Sequence, residues 1–257
     1  MTAVFAPLGR ATLHVLETLG GSVTILGRVG RALVPPRFDA HETWRQLYHV
    51  GVRSWPIVAM TALFVGAIMV IQTAYFVRKT GATSFLGYGV GYSVFAEIGP
   101  VLIGLMFSGR VGANNTAELG TMVVTEQVDA LRALAIDPIR YLVVPRFIAM
   151  MVMLTLLMVL GDLFAIIGAA ITAQGLIGFD WQVLVANLVE SHLLDELIMG
   201  VVKSACFGVA ISCISCYFGL GATGGAVGVG RATNHSVVAN ATAIFLLDFL
   251  VGWLFTL

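Results

Sequence analysis

Four ionisable residues lie inside long apolar stretches, and they are the residues most able to do chemistry. Glu97, Asp162 and Asp248 are acids, whereas Lys203 is a base. A charge at the centre of a membrane helix costs on the order of 2.5–3.5 kcal/mol, so each needs a partner, water or protonation. Glu97, Lys203 and Asp248 are predicted to form one polar group, which either borders a transport pathway or holds helices in register as an ion pair. Asp162 has no evident partner, and a structural role is favoured.

Patterns for catalysis, metal binding and nucleotide binding are missing from the sequence. No two histidines are three or four residues apart: His14, His41, His49, His192 and His235. Cys213 and Cys216 have C-x-x-C spacing, but no second pair or histidine lies nearby, so helix packing is favoured. The glycine-rich stretch 219–230 has no lysine after a glycine, and the Walker A pattern G-x-x-x-x-G-K-[ST] occurs nowhere. We therefore predict no catalytic residue, no metal site and no cofactor in this chain.

The composition is that of a membrane protein. Hydrophobic residues make up 58% of the 257 residues, and charged residues make up 11%. A water-soluble domain usually has about a quarter of its residues charged, so this chain cannot cover its surface in water. The formal net charge is +0, which argues against a nucleic-acid partner. A polytopic membrane protein is predicted.

Five apolar segments are long enough to cross a bilayer as helices. The first, Trp55 to Val77, has no charge and reaches roughly 34 Å at 1.5 Å per residue. The other four are Phe85–Gly109, Phe147–Ala173, Leu197–Phe218 and Val237–Leu257. The predicted fold class is an all-α membrane protein, with a five-span domain over residues 55–257.

Residues 1–54 are predicted to form an N-terminal region at the membrane interface rather than a span. Six arginines surround an apolar stripe there, as is typical of an amphipathic helix in the plane of the bilayer surface. The stripe recurs at steps of three and four residues: Leu13, Leu16, Leu19, Val23, Leu26 and Val29. A soluble pair of helices is the alternative.

The distribution of lysine and arginine predicts the orientation. With the N-terminus inside, eleven arginines lie in cytoplasmic segments, and only Arg78 and Lys79 lie outside. Positive residues are enriched on the cytoplasmic side of membrane proteins. The N-terminus and the segment between spans two and three are therefore predicted to be cytoplasmic, and the C-terminus is predicted on the far side.

The polar segment over residues 97–146 is the best place for a soluble partner to bind. A helix over about residues 117–134 is predicted within it, because three apolar residues share one face: Val124, Val128 and Leu131. Asp129 and Arg132 have the spacing of a weak ion pair. This helix is either a docking element at the cytoplasmic mouth of two spans or an ordinary solvated helix.

A second prediction concerns an apolar cavity within the membrane. Proline removes a backbone hydrogen bond, so a kink at Pro100 would open space beside Glu97. One face of the first span would line such a cavity, although these residues could equally meet lipid or another helix: Met69, Thr73, Phe76 and Thr80, with Val77 adjoining.

The sequence resembles the MlaE (YrbE) family of ABC transporter permeases over residues 40–257. The matching stretches are E-x-G-P-V-L, G-R-x-G-A, A-E-L-G-T-M-x-V-T-E-Q-x-D-A-L, D-P-x-x-Y-L-V-x-P-R and G-V-G-R-A-T. The chain departs from the family pattern at Asn114 and Asn115, where the family more often has small residues. The resemblance implies that residues 55–257 form a permease domain.

The resemblance implies an assembly in the bacterial inner membrane. A homodimeric permease would bind two ATPase subunits, which carry ATP and magnesium, with a small accessory protein bound to the ATPase. A ring of MCE-domain proteins would lie on the periplasmic side. The substrate would be phospholipid moved between inner and outer membranes to maintain outer-membrane lipid asymmetry. A sterol or other hydrophobic substrate, a proton-coupled secondary carrier and an intramembrane enzyme are the alternatives.

The resemblance also implies roles for particular residues. The helix at about 117–134 would be the coupling helix that docks on each ATPase, and its contact residues would be the following: Glu118, Thr125, Glu126, Asp129 and Leu131. The substrate pathway would comprise the polar group and the apolar face of the first span: Glu97, Lys203, Asp248, Met69, Thr73, Phe76 and Val77.

Overall fold

The computed structural model describes residues 2–33, 40–81 and 85–255, and side chains are described there except at 2–15, 85 and 177. All regular elements within these ranges are helical. The α-helices are α1 (Thr2–Leu33), α2 (Ala40–Thr80), α3 (Phe85–Tyr92), α4 (Gly99–Phe107), α5 (Ala113–Val124), α6 (Gln127–Ala133), α7 (Val144–Thr172), α8 (Trp181–Glu190), α9 (Leu194–Leu220) and α10 (Gly225–Phe255). Four π-helical turns adjoin them at Ser93–Ile98, Ser108–Gly112, Ile139–Val143 and Ala173–Ile177.

Five helical segments in the described ranges are long and apolar enough to cross a membrane, which confirms the predicted span count. They are Ala40–Thr80, Leu86–Val124, Ile139–Leu176, Leu194–Leu220 and Gly225–Phe255. The first, third and fourth segments extend beyond the predicted apolar runs at both ends, the second only at its C-terminal end and the fifth only at its N-terminal end. Helical hydrogen bonding continues into polar flanks that a hydropathy pattern does not register. The domain boundary predicted after residue 54 consequently falls inside α2.

The N-terminal helix α1 has two apolar faces. Ile25 and Val29 are buried, whereas four large apolar residues on a neighbouring stripe are exposed: Leu16, Leu19, Val23 and Leu26. The side chain of Leu13 lies outside the described residues. A helix with one face on protein, one exposed apolar face and arginines elsewhere fits the predicted position at a bilayer surface.

The chain forms two compact units. One comprises Met1–Gln46, Ser108–Met150 and Val209–Ala241, and the other comprises Leu47–Phe107, Met151–Gly208 and Thr242–Leu257. In the second unit, apolar side chains of α2, α3, α7 and α8 form a continuous core, with Val70, Leu86 and Leu184 fully buried. Helices α2 and α7 approach closely there, because a Cβ at Gly66 would overlap the carbonyl oxygen of Ala165.

The segment predicted as one helix over about 117–134 is divided in two. Helix α5 ends at Val124, and α6 begins at Gln127. Between them Glu126 has a left-handed backbone with φ of 62°, which a residue other than glycine rarely adopts. The Thr125 hydroxyl and amide both bond to the carbonyl of Thr121, and these bonds cap α5. The periodicity of apolar residues passes through this turn and therefore did not reveal it.

Candidate functional site

The second unit brings Glu97, Lys203 and Asp248 together from three helical segments. The ammonium Nζ of Lys203 lies 3.1 Å from Oε1 of Glu97 and 2.8 Å from Oδ1 of Asp248. The Lys203 side chain is fully buried, Asp248 is 17% exposed, and Glu97 is 41% exposed. The predicted polar group is therefore present, and we call these three residues the charged cluster.

The backbone of the second span provides a further acceptor for Lys203. Its ammonium donates to the carbonyl oxygen of Ala96 at 2.8 Å. In an α-helical register, the N–H of residue 100 would bond to this carbonyl, and Pro100 has no N–H. The backbone is irregular just before Pro100, where the π-helical turn Ser93–Ile98 has the amide of Gly99 bonded to the carbonyl of Val94. A kink at Pro100 that opens a cavity stays a prediction.

Glycine allows α9 to approach this turn. A Cβ at Gly200, one turn before Lys203, would overlap the carbonyl oxygen of Phe95. Close contact between helix backbones is the usual role of small residues in membrane helices. The approach puts the lysine stem within reach of the neighbouring segment, so that the ammonium can bond to the backbone as well as to the carboxylates.

The charged cluster has two carboxylates for one ammonium, and its exposure is asymmetric. Lys203 and Asp248 are buried together, whereas Glu97 is accessible on one side. Hydrocarbon cannot hydrogen-bond to an accessible carboxylate, so such a group in a span normally faces water, another protein surface or a polar ligand. Glu97 is thus the member of the cluster that can bind something outside the chain.

Asp162 lies apart from this cluster. Its side chain is 4% exposed, and neither carboxylate oxygen has a hydrogen-bond partner among the residues that the structure describes. No partner for Asp162 is evident from the sequence either, and its structural role stays a prediction.

The predicted apolar lining on α2 is split by burial. Met69 and Val77 lie in the core of the second unit, with 7% and 1% of their surfaces exposed. Thr73 is half-buried, and Phe76 is 51% exposed. Met69 and Val77 therefore pack on the chain's own helices, whereas Thr73, Phe76 and the exposed Thr80 remain available to line a cavity. Burial of Met69 and Val77 reduces the part of this face that could contact a substrate, and the cavity lining itself stays a prediction.

The predicted coupling residues occupy different environments. Thr125, Glu126 and Asp129 are exposed at the turn and on α6. Asp129 forms the predicted ion pair with Arg132 at 2.8 Å, on the exposed side of α6. Leu131 is half-buried and lines a groove of about 350 Å³ together with Met122, Leu134 and Tyr141. Exposed apolar side chains at Leu134 and Tyr141 make this region suited to contact with another protein.

Glu118 is engaged within the chain. Its Oε2 lies 3.2 Å from Nη2 of Arg146, and its Oε1 accepts from the amide of Asn114 at 2.7 Å. Arg146 is only 6% exposed. A buried guanidinium needs a counter-charge and acceptors, and Glu118 supplies the charge. Whether Glu118 also contacts an ATPase stays a prediction.

Sequence reasoning missed a buried polar network in the first unit, which we call the α5 junction. Nη1 of Arg146 donates to Oδ1 of Asn115 at 3.3 Å, and Nδ2 of Asn115 donates to Oγ of Ser215 at 2.7 Å. Thr116 Oγ1 lies 2.9 Å from Oγ of Ser236. The junction consists of Asn115, Thr116, Glu118, Arg146, Ser215 and Ser236. From the sequence, Arg146 was interpreted only as a charge at the membrane interface. Its partners Asn115 and Glu118 on α5 were not predicted.

Within the described residues, no group of three or more His, Cys, Asp and Glu side chains could hold a metal ion.

Comparison with known proteins identifies the family. The model of the family described as Permease MlaE matches residues 43–254. A probable ABC transporter permease of Rickettsia felis is 38% identical over 251 residues, covering 96% of each chain. A probable ABC transporter permease of Synechocystis is 37% identical, covering 99% of this chain and 90% of the relative. The intermembrane phospholipid transport system permease MlaE of Haemophilus influenzae is 30% identical, covering 95% and 94%. This chain therefore belongs to the MlaE family of ABC transporter permeases.

Proposed function

We propose that this chain is the membrane subunit of an ATP-driven transporter that moves phospholipid between the inner and outer membranes. The carrying observation is the charged cluster, in which an accessible carboxylate on Glu97 lies inside a membrane span beside a buried ammonium. The similarity to a permease named for intermembrane phospholipid transport supports this substrate class. Maintenance of outer-membrane lipid asymmetry would be the physiological role.

The charged cluster would border the substrate pathway. Phospholipid headgroups carry a phosphate and often an ammonium, and a site with charges of both signs can bind either group. Lys203 and Asp248 would hold the site in shape, and Glu97 would contact the headgroup. Acyl chains would lie along apolar residues such as Phe76, with Thr73 at the edge of the same surface.

The permease would act as a homodimer. Only 17% of the most apolar stretch of α10 is buried, against 39–56% in the other four spans. Its large exposed side chains include Phe245, Phe249 and Trp253. A second copy packed on α10 would cover part of this surface and enclose a cavity that five spans of one chain do not enclose. Alternating exposure of that cavity would move the lipid.

A separate ATPase subunit would supply the energy, with ATP and magnesium bound to it. The turn at Thr125–Glu126 and helix α6 would be the docking segment, together with Asp129 and Leu131. The excess of arginine in the segments flanking this region supports a cytoplasmic position for it, with a cytoplasmic N-terminus and a periplasmic C-terminus. Family resemblance further supports a periplasmic ring of MCE-domain proteins and an accessory protein on the ATPase.

Affinity purification of the tagged chain from its native host in mild detergent tests this proposal. We expect an ATPase subunit, an MCE-domain protein and phospholipid to co-purify, and we expect ATP to drive transfer of fluorescent phosphatidylethanolamine in reconstituted vesicles. Transport that needs a proton gradient and no ATPase would instead indicate a secondary carrier. Purified chain that alone converts a lipid to another product would indicate an enzyme.

A further inference from the structure

The α5 junction joins four helices by side-chain hydrogen bonds that the proposed substrate pathway does not use. Asn115 and Thr116 are on α5, Arg146 is on α7, Ser215 is on α9, and Ser236 is on α10. All five residues are at most 6% exposed. Their bonds therefore form away from water, where a broken hydrogen bond is not replaced by a bond to solvent.

Asn115 is the central member of the junction. Its carbonyl oxygen accepts from Arg146, and its amide nitrogen donates to Ser215 and lies 3.4 Å from Sγ of Cys216. It is thus bonded to α7 on one side and to α9 on the other. An apolar residue of similar size could fill the space but could make neither bond.

Helix α5 also leads directly into the proposed docking segment. It ends at Val124, one residue before the turn at Thr125–Glu126. The α5 junction lies two to three turns upstream of this turn. Any displacement of the docking segment that α5 transmits as a rigid helix therefore reaches the junction first.

The junction allows only one register of α5 against its neighbours. A shift of one helical turn is about 5.4 Å, which is larger than any hydrogen-bond distance in the network. Such a shift would leave the buried guanidinium of Arg146 without its acceptors, which is costly. Under a smaller load, α5 and the three other helices are expected to move together.

We propose that Asn115 is a positioning residue for energy coupling, which rests on the proposed function above. By bonding α5 to Arg146 and Ser215, it makes displacement of the docking segment move α7 and α9 as well. Asn115 contacts neither the substrate nor the ATPase in this proposal. Its loss reduces the lipid moved for each ATP hydrolysed, and leaves docking and hydrolysis in place.

The test uses the complex captured through a tag on this chain and reconstituted in vesicles of phosphatidylethanolamine and phosphatidylglycerol. Asn115→Leu keeps the branched shape of the side chain, with a larger volume, and removes both bonds. We expect normal co-capture of the ATPase and near-normal ATP hydrolysis, with fluorescent phosphatidylethanolamine moved per ATP lowered by about fivefold, as is typical of lost coupling between sites. Asn115→Asp can still accept from Arg146, and the Ser215 hydroxyl, which now donates to the carbonyl of Ser212, can turn to donate to it, so this variant should restore much of the ratio.

Asn234→Leu is the matched control, because Asn234 is an exposed asparagine on α10 whose side chain makes no hydrogen bond among the contacts described; it should leave the ratio unchanged. If Asn115→Leu does not accumulate, Ser215→Ala removes one hydroxyl of the same link and should lower the ratio in the same direction. An unchanged ratio in Asn115→Leu, or in Ser215→Ala where the first variant is lost, would overturn the inference. If the unaltered complex captures no ATPase or moves no lipid, the proposed function fails instead.

Discussion

Lys203 is a buried ammonium with three oxygen neighbours: Glu97 Oε1, Asp248 Oδ1 and the carbonyl oxygen of Ala96. The ammonium donates a hydrogen bond to the Ala96 carbonyl and forms ion pairs with the two carboxylates. Burial of a charge is tolerable only when it is both paired and hydrogen-bonded. Lys203 meets this condition, so its first effect is on the stability of the helices that surround it.

Replacement of Lys203 by methionine should destabilise the protein strongly. The change keeps the length of the side chain and leaves Asp248 as a buried carboxylate without its cation, which costs about 3–5 kcal/mol. For a chain of this size, that corresponds to a melting temperature lower by roughly 10 °C. Fluorescence-detected size exclusion of heated, detergent-purified protein measures the shift.

Two further variants check this interpretation. Lys79→Met alters an exposed lysine at the end of α2 and should leave the melting temperature unchanged. Lys203→Met combined with Asp248→Asn should recover part of the loss, because the second change removes the orphaned charge. A single Lys203→Met variant as stable as the parent would show that the cluster contributes nothing to folding.

Glu97 should affect transport more than stability. Glu97→Gln leaves the shorter contact between Lys203 and Asp248 in place, so the melting temperature should change little. Loss of a charged hydrogen bond to a ligand costs about 1.5–3 kcal/mol of binding free energy, so phospholipid transfer should fall about tenfold or more. The assay is transfer of fluorescent phosphatidylethanolamine by the reconstituted complex.

Charge reversal at the same position is the stricter version of this experiment. Glu97→Lys puts a second cation beside Lys203 and should abolish transfer. Normal protein level together with normal transfer in this variant would mean that the cluster does not border the pathway.

Only part of the site was predictable at this level, and the reason is sequence separation. Charges are rare in spans and each needs a partner, so the sequence predicts that Glu97, Lys203 and Asp248 lie together. Asn115 gave no such signal, because its partner Ser215 is 100 residues away and serine is ordinary in membrane helices. Burial of Arg146 was equally invisible, since arginine is common at the ends of spans.

Among the elements, the turn between α5 and α6 determines how the proposed docking segment is presented. Glu126 adopts φ of 62° without the freedom of glycine. A non-glycine residue in this conformation costs of order 1–3 kcal/mol, and the conformation persists only where the surrounding structure holds it. The exposed side chain gives no packing reason for the choice of glutamate, which is consistent with a role for the carboxylate in contact with a partner.

Paired substitutions at Glu126 separate backbone strain from charge. Asn tolerates the left-handed region, whereas β-branched Val does not. Both remove the carboxylate, so Glu126→Val should melt below Glu126→Asn by an amount equivalent to about 1 kcal/mol or more. Equal melting temperatures would mean that the turn relaxes to another conformation, and equal losses of ATPase capture in both variants would assign the effect to the charge.

The elements themselves were largely predictable, because length and hydropathy suffice to find a membrane span. The ends were not, since helices such as α2 continue through charged residues like Arg53 without a change of conformation. The break at Glu126 was also hidden, because no glycine or proline marks it.

At the scale of the whole molecule, α10 is the span that the rest of the chain covers least. Its apolar side chains suit either lipid or a second copy, and the proposed transport cavity requires the second copy. Phe249 and Trp253 lie one turn apart on the exposed side, while Asp248 bonds inwards to Lys203. The same helix would thus connect the charged cluster to the dimer partner.

Oxidative cross-linking tests this arrangement in native membranes. Phe249→Cys should form a disulfide-linked dimer in more than the background amount given by the parent chain, whose own cysteines are buried or half-buried. Met60→Cys places a thiol on an exposed part of α2 and should not cross-link. Dimer bands of equal strength at both positions would indicate random collision rather than packing on α10.

Pro100 bears on how a buried lysine can be introduced into a membrane protein at all. Most carbonyls of a helix already accept a hydrogen bond from an amide of the following turn, and the ammonium of a lysine on a neighbouring helix must compete with that amide. The Ala96 carbonyl has no competing amide in an α-helical register, because the residue one turn later is Pro100, which has no N–H. We therefore expect proline at position 100 and lysine at position 203 to be replaced together. An amide at position 100 would compete with the Lys203 ammonium for the Ala96 carbonyl and weaken that hydrogen bond.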